Sequence, residues 1–213
     1  MKVIADRSTV ILAGSFNPSI LSPTWVAVHG LGTPAGQEFA VEMLAAVGGG
    51  GASPRFRFNG VDYQPGFANL TLNVDPSNIE TGVVAARTAA KILGQLPHTP
   101  VNGVGFNFAF VTDEPQEELL RLLSVHDVLS DSFPGDSEVV VRRWGNSLTW
   151  EQAIVNVDCE LAGGQATITL NFHYSTASAG AAQQILSAEG CYAKHWERAL
   201  AAAQALSGEQ LET

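Results

Sequence analysis

Val101-Asn102-Gly103-Val104-Gly105-Phe106-Asn107-Phe108-Ala109-Phe110-Val111 is the most informative run in this chain. Phe106, Phe108 and Phe110 fall on one side of an extended backbone, and Gly105, Asn107 and Ala109 on the other. That is the two-residue period of a β-strand. Three phenylalanines on one face call for cover, since burying each stabilises by roughly 1.5–3 kcal/mol. Helical patterns flank the run on both sides. Upstream, Asp75-Pro76-Ser77 opens a helix over 78–94 whose apolar positions Ile79, Val83, Ala86, Ala90 and Leu93 keep to one face before Pro97. Downstream, Pro115 opens a helix carrying Leu119, Leu122 and Leu123 over 115–129. The chain closes on a long helix, Ala177–Leu206, with an inner stripe of Ile185, Ala188, Tyr192, Trp196, Ala199, Ala203 and Leu206. From Ser207 to Thr213 the pattern is that of a frayed tail.

Working outward, Val3–Ala13 reads as a strand ending at Gly14. Ser22-Pro23 then starts a short helix through Trp25 and Val28 that stops near Gly30-Leu31-Gly32. A second helical stretch, Ala35–Val47, runs into Gly48-Gly49-Gly50-Gly51. Arg55–Phe58 and Val61–Gln64 flank Asn59-Gly60, a strong type I′ hairpin signal. Pro65-Gly66 turns the chain again into Phe67–Val74. A second meander spans Glu138–Trp144, Leu148–Leu161 and Ala166–Tyr174, with turns at Gly145-Asn146 and Gly163-Gly164. Strands come in antiparallel groups and do not alternate with helices, so the fold class is α+β. The expectation is one compact domain over 1–213, its strand groups packed on two main helices, the 78–94 helix and the C-terminal one. Two strand triplets, each followed by a helix, suggest a duplicated architecture. The alternative is a helix-grip sheet around the C-terminal helix, with extra helices inserted at 78–95 and 115–129.

Composition narrows the function classes. The chain has 213 residues, one domain's worth, and is 46% hydrophobic but only 15% charged. Its net charge of −10 opposes nucleic-acid binding and docking on anionic membranes. Acids and bases balance up to Thr112, so the whole excess lies from Asp113 onward. Asp6 and Arg7 interrupt any leader-like apolar core, and no apolar run approaches the ~20 residues of a membrane span. A cytoplasmic location, with Cys159 and Cys191 reduced, is therefore expected.

Two stretches, Gly14–Trp25 and Leu96–Asn107, resemble segments of sporadically distributed, uncharacterised bacterial proteins. The resemblance covers about an eighth of the chain. It implies a bacterial or phage origin and brings no catalytic motif.

No mechanistic motif is found. There is no phosphate-binding G-x-x-x-x-G-K-[ST], no G-x-S-x-G, no H-E-x-x-H and no C-x-x-C. Pro34, and the lack of a preceding strand, spoil a dinucleotide reading of Gly30-Leu31-Gly32-Thr33-Pro34-Ala35-Gly36. Cys191 and His195 sit four apart on one helix face, with Cys159 and His173 on strands. Zinc takes four ligands, or three and water, and spacing supplies two, so no metal and no cofactor are expected. Cys191 then reads as a small core residue and His195 as a solvated one. His29 and His126-Asp127 lack a visible orienting partner, and His98 reads as a surface-loop residue.

The leading expectation is a non-catalytic interaction or assembly protein, acting as a homo-oligomer or inside a larger complex. Low charge and four tryptophans favour contact surfaces, with Trp144 and Trp150 flanking the Gly145-Asn146 turn. Asp113, Glu114, Glu117 and Glu118, followed by Asp127, Asp131, Asp136 and Glu138, offer an acidic surface for a basic partner. Acids in a first helical turn are also explained by the helix dipole. The alternative is a helix-grip domain that binds or hydrolyses a small apolar ligand. Its pocket would be lined by Phe106, Phe108, Phe110, Tyr174 and Trp196, with His98 or His173 as the polar group.

Overall fold

The computed structural model describes residues 1–44, 55–76, 78–123 and 140–212. The tetraglycine and His126, Asp127, Asp131, Asp136 and Glu138 lie outside the described residues. The fold is α+β, but among the described residues the expected strand groups merge into one antiparallel sheet of ten strands. Its strands are β1 (Lys2–Val3), β2 (Thr9–Gly14), β3 (Glu42–Leu44), β4 (Arg55–Phe58), β5 (Val61–Pro65), β6 (Asn69–Asn73), β7 (Val101–Thr112), β8 (Val141–Trp150), β9 (Ala153–Ala162) and β10 (Gln165–Ser175). The spatial order is β3-β4-β5-β6-β2-β7-β10-β9-β8, with β1 also on β7. The first strand expected from sequence is interrupted by a 3-10 turn at Ala5–Arg7. Both pieces pair along one flank of β7, Lys2 opposite Val111 and Thr9 opposite Asn107.

Five helices are described, not two main ones: α1 (Pro23–Trp25, continuing as a π-helical turn over Val26–Leu31), α2 (Ile79–Gln95), α3 (Glu117–Leu123), α4 (Ala179–Ser187) and α5 (Cys191–Ser207). The phenylalanines of β7 set where α5 lies. Phe108 packs edge-on against Tyr192 and at 5.6 Å from Trp196, and Phe110 stacks on Trp196 at 5.6 Å. Tyr192, Trp196, Ala199 and Ala203 of the expected stripe are buried, joined by Cys191 and His195.

The single C-terminal helix expected from sequence is broken at residues 188–190. Gly190 enters α5 with φ +63, a conformation that favours glycine, and the bend lets both helices reach the core. Ala182 and Leu186 of α4 are buried beside Tyr192 and Trp196 of α5. On α2 the expected Ala86, Ala90 and Leu93 are buried, but Ile79 and Val83 are not, and Thr81, Gly82, Ala85, Thr88, Ala89 and Ile92 widen the buried face. Small residues let α5 approach closely: a Cβ on Gly82 would sit 1.9 Å from the ring of Tyr192.

Two local expectations are corrected. Ala35–Val47 contains strand β3 at Glu42–Leu44 in place of a helix, paired with β4. Gly145-Asn146 is not a turn but lies inside β8, and the turn comes at Glu151-Gln152, where Glu151 has φ +53. Gly145 serves the pairing with β9, because a Cβ there would meet Asp158 Oδ1 at 2.6 Å. Other local readings match the structure. Ser22 caps α1 by accepting from the Trp25 N–H at 3.3 Å, and Asn59 and Gly60 have φ of +48 and +76. The end of the chain, expected to fray, is hydrogen-bonded to its start. Glu209 meets the Met1 amino group at 2.6 Å, and the Glu212 N–H donates to the Met1 carbonyl at 2.9 Å.

The two halves share one connectivity. β2 pairs with β6, the last strand of its own meander, as β7 pairs with β10, and β2 and β7 join the halves. Asn107 follows Thr9, its cross-strand partner, by 98 residues, and the same spacing separates Asn73 from Asn171, their outer partners.

Candidate functional site

The face of the sheet away from the helices carries one continuous polar row. Ser147, Asn156, Asn171, Asn107, Thr9, Asn73, Asp62, Arg57 and Glu42 stand opposite one another strand by strand, from β8 to β3. Ser147 Oγ donates to Asn156 Oδ1 at 2.7 Å, Asn156 Nδ2 to Asn171 Oδ1 at 3.1 Å, and Asn107 Nδ2 to Thr9 Oγ1 at 2.7 Å. Asn171 Nδ2 links the middle of the row by donating to Asn107 Oδ1. At the far end Asp62, 6% exposed, takes hydrogen bonds from both Arg55 and Arg57. A one-residue slip in any strand would drop its polar residue into the core, so the row records the register of the whole sheet.

The expected pocket aromatics come together as packed core, and neither His98 nor His173 joins them. Phe106, Phe108, Phe110, Tyr174 and Trp196 lie on the helix side and fill space against one another. His173, next to Tyr174 in β10, points to the opposite face and contacts Ser175 Oγ at 3.4 Å. His98 is exposed on the turn before β7, in a shallow cleft of about 360 Å³ shared with Ser15, Asn17 and Pro100. That cleft lies between residues 15–20 and 95–100, and the Ser15 N–H donates to the Pro100 carbonyl at 2.8 Å.

His195 is the residue that sequence reading misplaced. It is 3% exposed, not solvated. It stacks on Phe106 at 4.2 Å and meets Trp150, Phe172 and Tyr174 edge-on. Nδ1 lies 2.6 Å from the Cys191 carbonyl, which accepts, so this nitrogen carries the proton. Nε2 then accepts from the Tyr174 hydroxyl at 2.8 Å. The signal was present: Cys191, Tyr192, His195, Trp196 and Ala199 follow the spacing of one buried helix face. Burial holds the His195 pKa below its ordinary value and raises Tyr174 to about 12. The arrangement thus satisfies two polar groups within an aromatic cage. Among the described residues no group of three or more His, Cys, Asp or Glu is placed to hold a metal. Cys191 and Cys159 are free and buried, their thiols pushed up to about 11 by desolvation.

A depressed histidine pKa has a definite pH signature. The unfolded chain takes up a proton below about pH 6.5 that folded His195 refuses, so stability present above that pH is lost as pH falls. We expect wild-type unfolding free energy to drop between pH 7 and 5 with a His195 contribution of up to about 1.4 kcal/mol per pH unit. Denaturant titrations of His195→Leu should lack that contribution. Parallel pH profiles for the two proteins would contradict the buried neutral imidazole.

The acidic cluster is dispersed by local partners. Asp113 pairs with Lys2 at 2.9 Å and accepts from Gln165 at 2.7 Å, and the Lys2 hydrogen bond lowers its pKa. Glu117 pairs with Arg121 one turn on, at 3.3 Å, while Glu114 and Glu118 are exposed.

Trp144 and Trp150 both belong to β8 and face the helix side, half-buried. Trp150 closes the cage over His195 and lies under Lys194 and Arg198. Around them the apolar surface is exposed. Of nine exposed large apolar side chains among the described residues, six are Leu120 and Leu122 of α3, Val140 and Val141 at the start of β8, Leu148 of β8 and Ile154 of β9. α3 packs against β8 and β9, so these residues share the β8 end of the sheet, with Leu148 on the helix face and Val141 and Ile154 on the polar face. Val140 is 74% exposed and Leu148 50%. Single exposed apolar residues are ordinary, whereas six at one end of a sheet are a concentration.

No protein-family model matches the chain, and no curated protein or solved structure gives a significant match. Among the described residues no helix is long and apolar enough to cross a membrane.

Proposed function

We propose that this chain is a non-catalytic interaction and assembly protein that works as a homo-oligomer, with the β8 end of its sheet as the contact surface. The observation that carries this reading is the concentration of exposed apolar side chains on α3, β8 and β9. Apolar side chains on both faces of the sheet's β8 end lose unfavourable contact with water when a protein surface covers that end. Trp144 and Trp150, anchored from behind by the core, add rigid aromatic area of the kind that dominates contact energetics. The net charge of −10 favours a protein partner over nucleic acid or an anionic membrane. The alternative, a helix-grip domain acting on a small apolar ligand, needs room between sheet and α5, where the aromatic rings are in mutual contact.

Leu148→Lys tests the reading, because Leu148 is half exposed and its replacement leaves the core intact. We expect sedimentation analysis to show self-association weakened at least tenfold, with the melting temperature of the dissociated chain unchanged. Association equal to wild type would overturn the assignment of this surface.

A further inference from the structure

Resting on that reading, we infer that the partner is a second copy of this chain, joined strand to strand by antiparallel pairing of β8 with β8 about a twofold axis at Asn146. β8 is ten residues long, and among the described residues no strand pairs with its outer side. Every second residue of such an edge directs its N–H and C=O outward, a row of hydrogen-bonding groups that a further strand can take up. The other end of the sheet offers little. β3 has three residues, and the ion pair between Arg57 and Glu42 crosses the β3–β4 pairing there.

The side chains of β8 choose the geometry. Its charges are Arg142 and Arg143, with no acid in the strand. Parallel pairing in register would set each arginine against its own copy, an unfavourable cross-strand contact. Antiparallel pairing about Asn146 moves the two Arg142 residues about 26 Å apart, at about 3.3 Å per residue. It also sets Trp144 opposite Leu148 of the second copy, twice by symmetry, and Asn146 opposite its own copy. The half-exposed Leu148 is thereby covered by an aromatic ring. A twofold contact uses the same strand from both chains, so it closes at a dimer with no free β8 remaining.

A cysteine placed on the axis reads this register directly. Antiparallel partners have Cα atoms about 4.5–5.5 Å apart, within disulfide range. The native Cys159 and Cys191 are buried and give little background. With oxidised glutathione as electron acceptor, two Asn146→Cys thiols lose two electrons and two protons to form the inter-chain bond. We expect Asn146→Cys to run mostly as a cross-linked dimer on non-reducing gels, and Arg142→Cys, far from its own copy, to stay single. If wild type self-associates but Asn146→Cys cross-links no better than Arg142→Cys, the strand pairing is wrong while the homo-oligomer reading stands. If wild type does not self-associate, both fall.

Discussion

Phe108→Ala is expected to lower the unfolding free energy by about 3–5 kcal/mol, the range for removing a large buried aromatic. Phe108 is fully buried in the central strand and touches Phe172 of β10, Tyr192 and Trp196 at ring distances of 6.1, 5.6 and 5.6 Å. Those neighbours are fixed by the sheet on one side and by α5 on the other, so little can close over the gap. Much of a small domain's total stability, about 5–15 kcal/mol, would be lost at this one position. Equilibrium denaturation decides the matter. A cost below about 1 kcal/mol would mean that α5 is not seated on β7.

Gly82→Ala should destabilise by about 3 kcal/mol, although alanine is the better helix former by about 1 kcal/mol. Helix propensity alone gives the opposite sign, so direction is enough to judge. An added Cβ would lie 1.9–2.3 Å from three ring atoms of Tyr192. That ring is itself fully buried, edge-on against Phe108. Either α2 and α5 separate or the ring leaves its rotamer, and both disturb the core. A variant as stable as wild type would show that the two helices do not meet at Gly82.

The elements legible in the sequence were those whose cause is local. Alternation announced β7, paired φ-positive residues announced the turn at Asn59-Gly60, and Ser22-Pro23 announced α1. The Gly145-Asn146 turn failed because turn chemistry is a local propensity, and ten residues of pairing with β9 outweighed it. Trp144 and Trp150 flank no turn and both lie on β8. β3 was hidden because three residues carry no readable period. The long C-terminal pattern spans α4 and α5 because apolar spacing survives a short break, leaving only Gly190 to mark it. Neither the polar row nor the apolar edge was legible. Asn156, Asn171, Asn107 and Thr9 are unremarkable one at a time, and only the strand order brings them together. Which strand ends the sheet is likewise a property of topology. A titratable side chain at position 195 suggests solvent, but the buried helix face formed by Cys191, Tyr192, Trp196 and Ala199 includes it.

The central claim is self-association, and the solution mass of the wild-type chain tests it most directly. Light scattering on the size-separated protein at micromolar concentration is expected to give twice the chain mass of 22.5 kDa. A mass of 22.5 kDa that does not change as concentration rises would contradict the account.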